Sequence, residues 1–378
     1  MKSIDLNMCG GVLIVGLGSL GGDVLEFLAR TPGIKRIVAT DINEKWGVGK
    51  VDNTQFGAAT QGYYPHISFR RIDLNNIEET ADILRQESPD VVFNATTLQS
   101  WWVIGELPKE TYEKLLEAGL APWIPMHLTL THKLMKAVKQ SGISTHVVSS
   151  SFPDAVNAIL GKKGMAPLVG IGNHDLLIPI VQRYVSERLG VPMRNVSVFM
   201  VGHHYHEVRI EEFQSSMGAP YFLKIMVADR NVTGQFDLEK MWAACPPTLP
   251  GTQSDQRVAA SAVKNIAAII NDTNEITNSP GPKGLPGGYP IRLNARGVEV
   301  VLPEELTLEQ AVKINEEAQK FDGIERIENE GTVVCTDKSV RIMRDMLGYN
   351  CRRLEIENSE AKAKELQSLY RAFADQFK

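Results

Sequence analysis

Apolar residues in the first half of the chain follow two alternating rhythms. Short β-branched runs recur at GVLIV (11–15), RIVATD (36–41), HISFRRIDL (66–74), DVVFNATT (90–97) and STHVVSSS (144–151). Bounded by glycine or small polar residues, such runs predict buried strands. Between them the spacing becomes helical. Val24, Leu25 and Leu28 form a stripe after the first run, IEETADILRQE (77–87) follows the third, and LTHKLMKAVKQSG (130–142) ends at Gly142. Strand and helix in alternation predict an α/β domain, a doubly wound parallel sheet, over residues 1–150.

The second half loses that regularity. HDLLIPIVQRYVSERLG (174–190) predicts an amphipathic helix with Leu176, Leu177, Ile180, Val181, Tyr184, Val185 and Leu189 on its apolar side. Pro179 falls near its first turn, where proline is tolerated. NVSVFMVGHH (195–204) predicts a strand, RVAASAVKNIAAIIND (257–272) a helix, and TNSPGPKGLPGGYP (277–290) a Gly- and Pro-rich loop. GVEVVLP (297–303) reads as a strand, and 306–321 as a helix opened by a Thr307–Gln310 capping box. An α+β second domain over 151–325 is expected. An extension over 326–378 follows, its terminal helix carrying Leu366, Leu369, Tyr370, Phe373 and Phe377 at helical spacing.

Composition narrows the function classes. The chain has 378 residues, a formal net charge of −5, and no long run of one sign, which argues against a nucleic-acid or membrane-surface role. Cys9, Cys245, Cys335 and Cys351 are scattered without a C-x-x-C pair, so neither a zinc knuckle nor a disulfide framework is expected, and a reducing cytoplasm fits. No apolar run is long enough to span a bilayer, and GGVLIVGLG is too short and glycine-rich for a signal segment.

The first strand runs into Gly16-x-Gly18-x-x-Gly21, which opens a helix and precedes an acid-ended strand. In that context the pattern predicts a dinucleotide site. Gly16 allows the tight turn, Gly18 lets the N–H groups of Ser19 and Leu20 approach a pyrophosphate, and Gly21 lets helix and strand pack closely. Asp41, followed by Ile42, is placed to accept hydrogen bonds from ribose hydroxyls and to repel a 2′-phosphate. Asp73, Asn94, Thr96 and Ser151 lie at the carboxyl ends of later strands, where doubly wound sheets bind ligands. Asn94 fits a turn-forming role equally well.

VGHHYHEV (201–208) sets three histidines in four positions. If the strand continues, His204 and His206 share a face, and His203 points the other way as a structural or surface residue. The shared face suits proton transfer or a metal pair. Asp175, at a helix start, suits either a histidine partner or a plain cap.

These segments resemble the lactate/malate dehydrogenase superfamily. GLGSLGGDVLEFLA…IVATDINEKWGVGKVDN is similar to that family's fingerprint and acidic strand end. VVSSSFPDAVNAIL, GIGNHDLLIPIVQRYVSERLGVPMRNVSVFMVGHHYHEV and GGYPIRLNARGVEVVLPEELTLEQ are similar to later family segments, over about residues 10–320. The resemblance implies an NAD-binding Rossmann domain followed by an α+β catalytic domain of lactate/malate dehydrogenase type. It implies His204 as catalytic base, Asp175 as the aspartate that orients it, and a homodimer paired through helices flanking the cofactor domain.

One departure bears on substrate. The family grips a carboxylate with arginines, yet no arginine occurs from residue 86 to residue 182. Lysine cannot reproduce the planar guanidinium fork. The lid segment reads TTLQSWWVIGELPKE (96–110), so Gln99, Trp101, Trp102, Tyr205 and His206 are the expected substrate contacts. Trp101 and Trp102 suit a bulky or flat substrate, or simple packing of the lid. An NAD-dependent oxidoreductase acting on a secondary alcohol other than a small 2-hydroxy acid is expected, with no metal. The alternatives are an NAD- and metal-assisted glycosidase or lyase, a malate- or lactate-type enzyme with another carboxylate clamp, and a nucleotide-sensing scaffold.

Overall fold

A computed structural model describes residues 11–246, 249 and 251–377; Cys9 lies outside the described residues. The expected alternation of strand and helix builds one parallel sheet. Its elements in chain order are β1 (Gly11–Val15), α1 (Ser19–Leu28), β2 (Arg36–Asp41), α2 (Glu44–Thr60), β3 (His66–Arg71), α3 (Ile77–Glu87), β4 (Val91–Asn94), α4 (Lys109–Leu116), α5 (Ile124–Ser141), β5 (His146–Ser149), α6 (Pro153–Gly161) and β6 (Val169–Gly170). The strand order is β3-β2-β1-β4-β5-β6. The order reverses between β1 and β4, with Val15 level with Asn94. That switch point leaves a crevice at the carboxyl ends of both strands.

The next elements are α7 (His174–Leu189), β7 (Val196–Val201), α8 (His204–Phe213), β8 (Phe222–Val227), β9 (Arg230–Asn231), α9 (Leu238–Ala243), α10 (Asp255–Ile270), β10 (Glu275–Pro280), β11 (Gly288–Asn294), β12 (Gly297–Val300) and α11 (Leu308–Phe321). They form two three-stranded antiparallel sheets, β7-β8-β9 and β10-β11-β12. Thr307 opens α11 with the expected capping box. Two expectations fail. The stretch 277–290 is largely strand, because β10 and β11 pair from Glu275–Leu293 to Pro280–Gly288 and the tight residues 281–287 serve only as their connection. The strand expected over 195–204, whose continuation would have put His204 and His206 on one face, stops at Val201, and His204 begins a helix.

The last segment comprises β13 (Ile324–Ile327), β14 (Val333–Cys335), α12 (Asp337–Leu347), β15 (Arg353–Leu354) and α13 (Ser359–Ala374). It packs over α4 and α5 on one side of the large sheet. Ile324, Val333, Met343, Leu354, Leu366 and Tyr370 share a core with Leu13, Val38, Val92 and the buried side of α5. The terminal apolar stripe is thus buried within its own chain at Leu366 and Tyr370, while Phe377 stays exposed. No helix among the described residues is long and apolar enough to cross a membrane.

Candidate active site

The turn from β1 into α1 is shaped by what glycine lacks. Gly16 sits at φ +94. A Cβ on Gly21 would lie 2.0 Å from the Gly16 carbonyl oxygen, so only glycine lets α1 pack on that turn. A Cβ on Gly18 would meet nothing within 4 Å; it would project into open space. No side chain caps α1 at Gly18, leaving its first-turn N–H groups toward that space. This cradle fits a pyrophosphate. Asp41 accepts the Leu17 N–H and the Asn43 N–H, each at 2.8 Å. Trp46 donates to the Leu17 carbonyl at 2.8 Å, and Ile42 is exposed beside it. The turn is therefore held from outside, and on its inner rim the Ser19 side chain hydrogen-bonds Asp255.

A cavity of about 300 Å³ opens on that rim. Gly18, Ser19, Leu20 and Gly21 form one wall; Thr96, Trp101, Trp102, Ser151, Asn173 and His204 close it. All of these but Asn173 are expected site residues, and residues from distant parts of the chain meet in one place. Others do not. Asn94, fully buried, donates to Thr131 and Ser149 and accepts from the Thr96 N–H and hydroxyl, so it shapes the end of β4. Asp73 accepts the Asn75 N–H at 3.0 Å in a turn. Gln99 and Tyr205 are absent from the lining; Tyr205 packs against Phe321 with centroids 5.5 Å apart. Among the described lining residues there is no lysine or arginine, and Asp255 is the carboxylate. Arg209 donates to the Leu116 carbonyl, Arg257 pairs with Glu211 at 2.7 Å, and Lys109 lies out by Glu113.

Three histidines cluster where β7 gives way to α8. A bridge pairs Gly202 with Gly288 and ends the strand. His203 then caps α8: its ring accepts the Tyr205 N–H at 3.4 Å, while the His206 Nδ1 accepts the His203 N–H at 3.0 Å. This is a capping box built from imidazoles, and accepting through Nδ1 requires both rings to be neutral. Burial enforces that, pushing His203 down to about 3 and His206 downward. The His206 Nε2 lies 3.3 Å from the Ala219 carbonyl. His206 therefore does not share a face with His204, and His203 is interior rather than surface. Among the described residues no group of three or more His, Cys, Asp or Glu is arranged to hold a metal ion.

His204 differs. Its Nδ1 lies 2.8 Å from Asp322 Oδ2, and its backbone N–H donates to Asp154 Oδ1 at 2.9 Å. Burial opposes the imidazolium, but the charge and hydrogen bond of Asp322, with Glu207 and Asp154, override it and raise the ring to about 9. Asp322 follows α11 and also accepts the Leu120 N–H at 2.9 Å. Burial would raise its carboxyl, yet His204 and these donors hold it below the ordinary carboxylate range. With Nδ1 committed to Asp322, Nε2 is the nitrogen left for the cavity. Asp175, expected behind His204, is engaged elsewhere: it accepts from Ser261 and Lys264, both at 2.6 Å. The first turn of α7 aims it at α10.

Sequence reasoning missed Asp322, Asp154, Asn173 and the cavity-lining His127. Asp322 reads locally as a helix-end turn residue before Gly323, and its partner is 118 positions away. Asp154 follows Pro153 and reads as a first-turn acid. Neither carries a local sign of its role.

No family model matches the sequence. The malate dehydrogenase of Salinibacter ruber is 21% identical over 342 residues, spanning 85% of this chain and 99% of that protein. Among solved structures, the lactate dehydrogenase of Eimeria maxima, crystallised with NADH and oxamate, superposes with a TM-score of 0.57 at 12% identity, over 84% of this chain and 94% of its own. The malate dehydrogenase of Aeropyrum pernix gives 0.56 at 17% identity, over 82% and 97%. The chain has the fold of the lactate and malate dehydrogenases.

Proposed function

We propose that the protein is an NAD-dependent dehydrogenase interconverting a secondary alcohol and its ketone, on a substrate other than a small 2-hydroxy acid. One observation carries the reading: the His204–Asp322 pair opens on the same cavity as the Gly18 turn. Similarity to malate dehydrogenases supports the reaction class. NAD, when bound, exchanges a hydride with the reacting carbon. The protein's part is to move the proton. Neutral His204 takes the hydroxyl proton during oxidation; its imidazolium returns one to the carbonyl oxygen during reduction. Asp322 keeps the proton on Nδ1 so that Nε2 does this work, and it stabilises the imidazolium. Among the described lining residues the cavity offers a 2-hydroxy acid no guanidinium, and burying an unpaired carboxylate is costly.

Asp41 supports NAD over NADP, since a 2′-phosphate beside that carboxylate would be repelled. Fluorescence titration with both reduced cofactors tests this; equal or tighter NADPH binding refutes it. Steady-state kinetics with lactate and malate test the substrate claim. A kcat/KM of about 10⁴ M⁻¹s⁻¹ or more on either acid would restore the plain family reaction. His204 and His206 face different ways at the start of α8, which favours the metal-free reading over the metal-assisted one. We also place the protein in the cytoplasm, from its scattered thiols, and as a homodimer through the cofactor domain. Exposed Trp46 and Phe56 on α2 favour pairing. Sedimentation at micromolar concentration tests it, and a 41.8 kDa monomer overturns it.

A further inference from the structure

Asn173 is the residue before α7, and it is held where asparagine does not ordinarily sit, at φ +56 and ψ −132. Backbone of that kind costs energy for any residue with a Cβ and persists only where its surroundings enforce it. Here they do. The Asn173 amide donates to Asp154 Oδ2, and the other oxygen of that fully buried carboxylate accepts the His204 backbone N–H. Next to it, the Gly172 N–H donates to Ser261 at 2.9 Å. One buried aspartate thus fixes both the catalytic histidine and Asn173, which line the same cavity.

We propose that Asn173 is the group that orients the substrate, and that the substrate carries an uncharged hydrogen-bonding substituent, a hydroxyl or carboxamide, beside the reacting carbon. The claim rests on the dehydrogenase reading above. With one amide N–H given to Asp154, Asn173 retains a second N–H and a carbonyl oxygen, a donor and an acceptor side by side. A hydroxyl or carboxamide satisfies both; a carboxylate satisfies one and leaves the carbonyl facing an anion. The charges point the same way. Asp154 stands behind Asn173, Asp322 behind His204, and Asp255 on the wall, against the single imidazolium of His204. A desolvated carboxylate would meet more negative than positive charge.

The test uses the full-length protein, NADH, and two small probes matched in shape, pyruvamide and pyruvate, read by quenching of NADH fluorescence. Pyruvamide should bind the NADH complex about tenfold tighter than pyruvate, the worth of one well-made hydrogen bond. Asn173→Gly relieves the backbone but leaves the buried Asp154 carboxylate without its amide donor, so the melting temperature should fall while the two probes come within about threefold of each other. Asn173→Asp should weaken pyruvate further. Pyruvate binding as tightly as pyruvamide, neither probe binding, or a preference untouched in Asn173→Gly overturns the inference. Should the glycine variant not fold, the wild-type ratio decides alone. Loss of NADH binding by the wild-type protein would instead overturn the dehydrogenase reading.

Discussion

Adjacent residues at the same depth acquire opposite chemistry here. His203 and His204 are both buried, yet one is driven to about 3 and the other raised to about 9. Burial disfavours both imidazolium forms; what separates them is the carboxylate, 2.8 Å from His204 Nδ1 and 3.6 Å from His203 Nδ1. The sign for catalysis follows. His204 is protonated below about 9, so ketone reduction should hold at neutral pH and fall as pH rises through about 9, whereas alcohol oxidation should rise over that range. Asp322→Asn removes the largest opposing charge. The reduction limb should then move toward lower pH, with kcat falling more than NADH affinity, as a pH–rate profile would reveal. His204→Ala should cost about 10²–10⁴ in kcat/KM at unchanged NADH affinity. Near-normal turnover in that variant would remove His204 from the chemistry.

At the scale of elements, the β1–α1 turn separates packing from binding within four residues. Gly21→Ala drives a methyl into the Gly16 carbonyl and should lower thermal stability together with NADH affinity. Gly18→Ala meets open space, so its melting temperature should match wild type while NADH affinity falls at least about tenfold, the methyl standing where a pyrophosphate must approach. A binding titration beside a melting curve distinguishes the two variants. Elements of this kind were legible in the sequence because their cause is local. Alternating apolar runs mark strands, and Thr307 with Gln310 marks the start of α11. The β7–α8 junction was not legible, because its cap is made by imidazoles that usually suggest chemistry. Nor was the β10–β11 hairpin, whose glycines and prolines look like loop until the strands pair. Asp322 was the least legible, since only tertiary packing brings α11 to α8.

On the scale of the whole molecule, the C-terminal segment is part of the site's architecture. Tyr370 donates to the Val103 carbonyl at 3.0 Å and stacks edge-on against Trp123, which meets Trp101 of the cavity wall. Gln367 donates to the Leu98 carbonyl, so α13 holds the lid segment at its start and its middle. Tyr370→Ala should therefore destabilise the fold by about 3 kcal/mol in denaturant unfolding and raise KM for substrate more than Kd for NADH. The same contact sets an order of events during synthesis. Leu98 leaves the ribosome 269 residues before Gln367. At roughly 5–20 residues per second, the lid and the outer side of α5 wait on the order of 15 to 50 seconds for their cover. The large sheet is complete by Gly170, but the outer apolar side of α5 keeps part of its surface uncovered until α13 emerges. A ribosome stalled past residue 322 would release a chain holding every catalytic group and lacking its roof, a species for chaperones rather than for turnover.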